Sequence, residues 1–142
     1  MDLLKRENVQ ICEKADDWRD AIRISVLPLE KGGYAESRYK EEIIKNLEKL
    51  GPYIIIADDV ALPHARPEQG AIQTQMAVTL FRREVAFDEE DATARLFISL
   101  VANDSDSHLN ALMQMSELLG DEAVLSGILA SETEDELFRY FG

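Results

Sequence analysis

Two histidines, His64 and His108, are the only ones in the 142-residue chain, and their neighbours limit the chemistry open to each. His64 follows a short apolar run and stands in Pro63-His64-Ala65-Arg66-Pro67. Two prolines so close together leave that loop little freedom. Loops at strand ends are also where α/β folds place their sites. His108 follows Asn103-Asp104-Ser105-Asp106-Ser107, at the expected first turn of a helix. Unpaired N–H groups and the positive end of the helix dipole gather there, favouring an anion and disfavouring a protonated imidazole. If the two loops meet, one site holds both imidazoles and Arg66. Such a group suits phosphoryl transfer best. A neutral imidazole is a nucleophile toward phosphorus, and the developing dianion needs donors such as Arg66, the second imidazole and helix N–H groups.

Plainer readings use the same residues: a loop histidine with surface duty, a histidine that merely starts a helix, a solvated arginine. A zinc site could draw on His64, His108 and Asp104 or Asp106, but no His-Glu-x-x-His pattern is present. Cys12 is the single cysteine. It cannot form an internal disulfide, and zinc sites of four cysteines, or of two cysteines and two histidines, are ruled out. A buried or half-buried thiol is expected of it, rather than a nucleophile paired with a histidine. Met113 and Met115 read as core filling. There is no glycine-rich loop ending in Gly-Lys-Ser or Gly-Lys-Thr, and no Gly-x-Gly-x-x-Gly, so any phosphoryl group is expected to arrive on another protein.

Composition narrows the class. The chain has 28 Asp and Glu against 15 Lys and Arg, a net charge of −13, which opposes nonspecific grip on nucleic acid or anionic lipid. With 46% apolar residues it can bury one sizeable core. The N-terminus shows no signal-peptide core, and the longest uncharged run, Gln69–Phe81, is too short to span a membrane. A cytoplasmic domain over residues 1–142 is expected, with no metal, no cofactor and no membrane insertion. A homodimer is left open.

The elements that must hold the two histidines follow from periodicity. Val9, Ile11 and Ala15 could form a short strand. Asp16 or Asp17 caps a helix along Trp18, Ala21, Ile22, Ser25, Val26 and Leu29, and Pro28 is expected to kink it or stop it near Val26. A second helix runs from Glu36 to Leu50 and stops at Gly51-Pro52. Tyr53–Ala57 and Val60–Leu62 read as short strands about a turn at Asp58-Asp59. Gln73–Phe81 is a strand with Met76, Val78 and Leu80 on one face and Ala77, Thr79 and Phe81 on the other. Arg82-Arg83-Glu84 follows it, then Val85-Ala86-Phe87. Four acids, Asp88 to Asp91, read as a solvated turn. Ala94–Ala102 is apolar on both faces, so it belongs mid-sheet with helices on both sides. Asp106 or Ser107 caps a helix from His108 to Leu119, with Leu109, Leu112, Met113, Met115, Ser116 and Leu119 as its apolar side. Asp121–Leu129 and a last helix, with Ser131 or Thr133 as its cap, complete an α/β domain with one mixed sheet.

The stretch Gly51-Pro-Tyr-Ile-Ile-Ile-Ala-Asp-Asp-Val-Ala-Leu-Pro-His-Ala-Arg-Pro67 resembles the active-site signature of type-2 enzyme IIA domains. These belong to the bacterial phosphoenolpyruvate-dependent sugar phosphotransferase system, in the fructose–mannitol superfamily. Asp106-Ser-His-Leu-Asn-Ala-Leu-Met-Gln-Met115 resembles the family's second motif. The resemblance implies a metal-independent phosphocarrier whose mixed sheet is flanked by helices on both faces. His64 matches the histidine that accepts a phosphoryl group on Nε2 from the carrier protein HPr and hands it to a cysteine of a cognate enzyme IIB. The membrane enzyme IIC is an indirect partner. His108 matches the second histidine, which supports the phosphoryl group, and Arg66 is a candidate phosphoryl-binding residue.

The wording around His64, with Asp17-Trp18-Arg19, looks most like the ascorbate-specific branch, so L-ascorbate is the expected sugar. An arginine usual in the mannitol branch, near the end of the helix before Gly51, is missing. Lys45, Lys49 or Arg66 must supply any substitute. Val85-Ala86-Phe87-Asp88 departs from the Pro-Val and Phe-Gly pairs common in relatives. The alternative within the family is a regulatory domain that controls transcription or metabolism through its phosphorylation state. A metal hydrolase is a third class.

Overall fold

The computed structural model describes residues 3–89 and 92–142. The chain opens with β1 (Leu4–Cys12). Asp17 then caps α1 (Trp18–Lys31) by accepting the Asp20 N–H at 2.8 Å, which satisfies one of the helix's free donors. α2 (Arg38–Leu50) ends where Gly51, at φ 83°, donates its N–H to Leu47 O, a left-handed backbone that glycine adopts without strain. Two short strands follow, β2 (Ile55–Ala57) and β3 (Asp59–Ala61), then a 3-10 turn over Pro67–Gln69. β4 (Gln75–Ala86) and β5 (Thr93–Val101) form the longest pairing. α3 (Ser105–Leu119), α4 (Glu122–Leu129) and α5 (Glu134–Arg139) finish the chain. Among the described residues no helix is long and apolar enough to cross a membrane.

The strands build one sheet in the order β1-β4-β5-β3-β2. β1–β4 and β3–β5 are parallel, β4–β5 and β2–β3 antiparallel, so the sheet is mixed. Alternation along the central strands sorts two layers. Ala77 and Phe81 of β4, with Phe97 and Val101 of β5, pack with α1 and α2. Met76, Val78 and Leu80, with Leu96, Ile98 and Leu100, pack with α3, α4 and α5. A sheet covered on both faces needs strands apolar on both faces, and the chain is the single α/β domain expected from that pattern.

Several elements differ from the sequence expectation, each for a physical reason. β1 begins at Leu4 because it is an edge strand whose Lys5, Arg6 and Glu7 face solvent, which hides it from an apolar reading. β4 runs on through exposed Arg82, Arg83 and Glu84, with its register to β5 shifting between Leu80 and Val85. Asp104, rather than Asp106 or Ser107, caps α3, so that helix starts three residues before His108. Its buried stripe is Ala111, Met115 and Leu119, while Leu109 and Met113 are exposed; of the two methionines only Met115 fills core. Thr133 is the cap of α5. In the acidic turn Asp88 and Glu89 are exposed; Glu90 and Asp91 lie outside the described residues.

Pro28 neither stops α1 near Val26 nor ends its hydrogen bonding. A helical proline leaves the carbonyl four residues earlier without its N–H, here that of Ile24. Gln10 on β1 fills the gap: its Nε2 donates to Ile24 O at 2.9 Å and to Thr79 Oγ1 at 3.0 Å. Gln10→Leu orphans both acceptors and is expected to destabilise the fold by about 1–3 kcal/mol in urea unfolding. Adding Pro28→Ala returns a backbone N–H to Ile24 and should recover part of that loss. An unchanged midpoint for Gln10→Leu would refute the substitution of side chain for backbone.

Candidate active site

The loop that carries His64 is an extension of the sheet. Beyond β3, Leu62 donates its N–H to Ile54 O at 2.7 Å, and Leu100 of β5 donates its N–H to Pro63 O at 2.9 Å. The loop therefore leaves the sheet with Leu62 and Pro63 already paired, and Pro63 restricts the next rotation. His64 is half-buried, and its Nδ1 lies 2.6 Å from Leu62 O. A carbonyl only accepts, so Nδ1 carries the proton and donates, and the lone pair is left on Nε2. Burial lowers the pKa of His64, with the neighbouring His108 adding to the effect, while the bond to Leu62 opposes it. The imidazole is thus neutral, with one defined nucleophilic nitrogen.

His108 closes the site from the other side. Asp104 accepts the Ser107 N–H at 2.7 Å, and the His108 N–H donates to Asp104 O at 3.2 Å, so His108 belongs to the helix rather than to its free end. The Asp104 carboxyl is held below its usual range by the Ser107 N–H and hydroxyl. The two imidazole centroids are 5.2 Å apart at 45°, and the loops meet. They line a cavity of about 540 Å³ together with Asn46, Lys49, Tyr53, Arg66 and Ser105.

Arg66 is on the cavity wall but not on His64. Its guanidinium pairs with Glu68 at 3.3 Å, both side chains being largely exposed. Lys49 lines the cavity and Lys45 does not. Of the three cations that could replace the missing arginine, Lys49 and Arg66 are in place. Asn46 anchors the loop from α2: it exchanges amide hydrogen bonds with Gln69, whose Oε1 accepts the Arg66 N–H at 2.9 Å.

Asn46 and Tyr53 escape a search of the sequence for reactive residues, because neither type signals chemistry alone. Tyr53 stands inside the signature and could have been found there. Cys12 is half-buried at the end of β1, away from the cavity lining; burial pushes its thiol up, against a nucleophilic role. Among the described residues no three histidine, cysteine or carboxylate side chains are grouped to hold a metal ion.

An NMR titration of the ring nitrogens is expected to place the His64 midpoint below the ordinary 6.5, with Nδ1 protonated in the neutral form. The neutral state then persists to lower pH than in a solvated histidine. A midpoint above 6.5, or a proton on Nε2, would contradict the geometry.

The family model described as "Phosphoenolpyruvate-dependent sugar phosphotransferase system, EIIA 2" matches residues 2–142. The mannitol-specific cryptic phosphotransferase enzyme IIA component of Escherichia coli K12 is 38% identical over 136 residues, covering 96% of this chain and 92% of that protein. The solution structure of the E. coli enzyme IIA of that description matches with a TM-score of 0.92 at 37% identity, covering 98% and 95%. The ascorbate-specific EIIA component of Shigella boydii is 31% identical over 137 residues, covering 95% and 89%. A structure of E. coli mannitol enzyme IIA in complex with phosphorylated enzyme IIB matches with a TM-score of 0.84 at 29% identity, covering 96% and 95%.

The assignment to the ascorbate branch is therefore corrected: a mannitol-specific relative is the more similar of the two. Within the wording around His64, Tyr53 bonds the His64 carbonyl and Pro67 starts the 3-10 turn, so both have a part in the loop's geometry. With residues 2–142 matched and the two histidines in one cavity, the chain belongs to the type-2 EIIA family of the phosphoenolpyruvate-dependent sugar phosphotransferase system and is a histidine phosphocarrier of sugar uptake.

Proposed function

We propose that His64 is the phosphoryl acceptor, that His108 and the cavity's cations stabilise the phosphoryl group, and that HPr and an enzyme IIB are donor and recipient. The observation that carries this reading is the Nδ1–H bond to Leu62, which leaves Nε2 as the one nucleophilic nitrogen beside a second imidazole. The Nε2 lone pair attacks phosphorus as the bond from phosphorus to the donor breaks, leaving that pair on the donor. The second transfer reverses the roles: a cysteine thiolate of enzyme IIB attacks, and the pair returns to Nε2. Charge builds on the phosphoryl oxygens in both steps. Lys49, Arg66 and the first turn of α3 at Ser105 supply positive groups and donors on the cavity wall.

Protein partners suit the cavity, whose lining Leu50 is 68% exposed, and α3 beyond His108, where Leu109 and Met113 are 57% and 62% exposed. Apolar side chains left in water beside a reacting centre are what a docking partner covers. The complex formed by the related mannitol enzyme IIA supports enzyme IIB as that partner, and the membrane enzyme IIC is the indirect partner of this reading. The more similar relative supports mannitol as the sugar served. Sugar recognition belongs mainly to the membrane component, so this chain need not touch the sugar.

Incubation with phosphoenolpyruvate, enzyme I and HPr should place one acid-labile phosphoryl group on His64, and His64→Gln should abolish it. Equal labelling of His64→Gln would overturn the assignment. His108→Ala is expected to accept phosphate but to pass it to enzyme IIB about 10²-fold more slowly, the scale of losing one donor to a developing charge. Transfer at the wild-type rate would remove His108 from the mechanism.

A further inference from the structure

The peptide joining His64 to Ala65 is gripped by two phenols. Tyr39, on α2, is fully buried; its hydroxyl accepts the Ala65 N–H at 3.0 Å and donates to Leu100 O at 2.8 Å. Tyr53, between α2 and β2, donates its hydroxyl to His64 O at 2.8 Å. Its ring also meets the imidazole edge-on, with centroids 5.4 Å apart at 84°. The His64 carbonyl and the Ala65 N–H belong to one planar unit. Turning that plane about the His64 Cα–C bond would break both contacts at once.

The two grips differ in kind. Tyr39 is fixed: Gly70, at φ 124°, passes so close that an added Cβ would lie 3.3 Å from Tyr39 Cβ. Its second bond, to Leu100, ties the plane to the same residue that holds Pro63. Tyr53 stands at the cavity rim, partly exposed. Both phenols keep the proton they donate, since burial pushes Tyr39 up to about 12 and raises Tyr53 as well.

We propose that Tyr39 and Tyr53 clamp the His64–Ala65 peptide and are positioning residues for phosphoryl transfer, with Tyr53 the jaw that also sets the direction of the imidazole ring. This rests on His64 as the acceptor. In-line attack tolerates little error, since a displacement of about 1 Å costs on the order of 10²-fold in rate. The Leu62 bond selects the nitrogen, and the clamp holds the backbone from which that nitrogen is aimed.

The test is Tyr53→Phe, which keeps the ring and removes one oxygen at a site open to water. Transfer from phospho-HPr is measured beside wild type and His64→Gln, with thermal unfolding recorded for each. The maximal rate is expected to fall roughly tenfold while the KM for phospho-HPr stays within about twofold and the melting temperature is unchanged. The ring-nitrogen NMR signals of His64 should shift toward a mixture of tautomers. A wild-type maximal rate with unshifted signals would overturn the clamp, as would a loss confined to KM or to thermal stability. Tyr39→Phe, which risks the fold, is the second arm: where it melts as wild type, it should lower the maximal rate in the same way. Labelling of His64→Gln would defeat the acceptor assignment itself; normal His64 labelling with an unimpaired Tyr53→Phe would defeat only the clamp.

Discussion

One hydrogen bond, from His64 Nδ1 to the Leu62 carbonyl at 2.6 Å, decides what this cavity can do. A neutral imidazole has one basic nitrogen, and which one it is depends on where the proton sits. A carbonyl on the same loop makes that choice for as long as the backbone of His64 is held in place. Its aim depends in turn on the sheet: Leu62 is fixed through Ile54, and Pro63 through Leu100 of β5. β5 lies between β4 and β3 and is covered by helices on both faces. His64 Nε2 is thus referred back to a central strand buried on both faces.

Electrostatics follow from the same placement. A chain of net charge −13 must attract a phosphoryl group locally, since its overall field repels one. Lys49, Arg66 and the start of α3 converge on one cavity, while the carboxylate on its wall, that of Asp104, is occupied in capping α3. An acid turned onto its own helix stabilises the element that carries His108, and its lone pairs are engaged by that helix's N–H groups. Burial does the rest by keeping His64 uncharged and nucleophilic.

The parts legible in the sequence are those where neighbours along the chain carry the physics. Alternation in Met76–Phe81 sorts the two layers, Pro63 and Pro67 mark the rigid loop, and scarcity singles out His64 and His108. What could not be read there depends on contacts between distant segments. Gln10 rescues Pro28 from another element. Tyr39 reaches Ala65 across the core. Lys49 is separated from Lys45 as a cavity cation only by the way α2 is turned. The α3 start shifts because four cap-type residues, Asp104 to Ser107, follow one another, and the extended backbone is at Asp104. The ascorbate reading is overturned by similarity over the whole length of the chains, which the short stretches around His64 and at Asp17-Trp18-Arg19 do not carry.

The most direct measurement is nitrogen–phosphorus NMR coupling on the phosphorylated protein labelled with 15N in its histidines. The account predicts a single phosphoryl group bonded to Nε2 of His64, with Nδ1 still in its bond to Leu62. A phosphoryl group on Nδ1 of His64, or on His108, would contradict it.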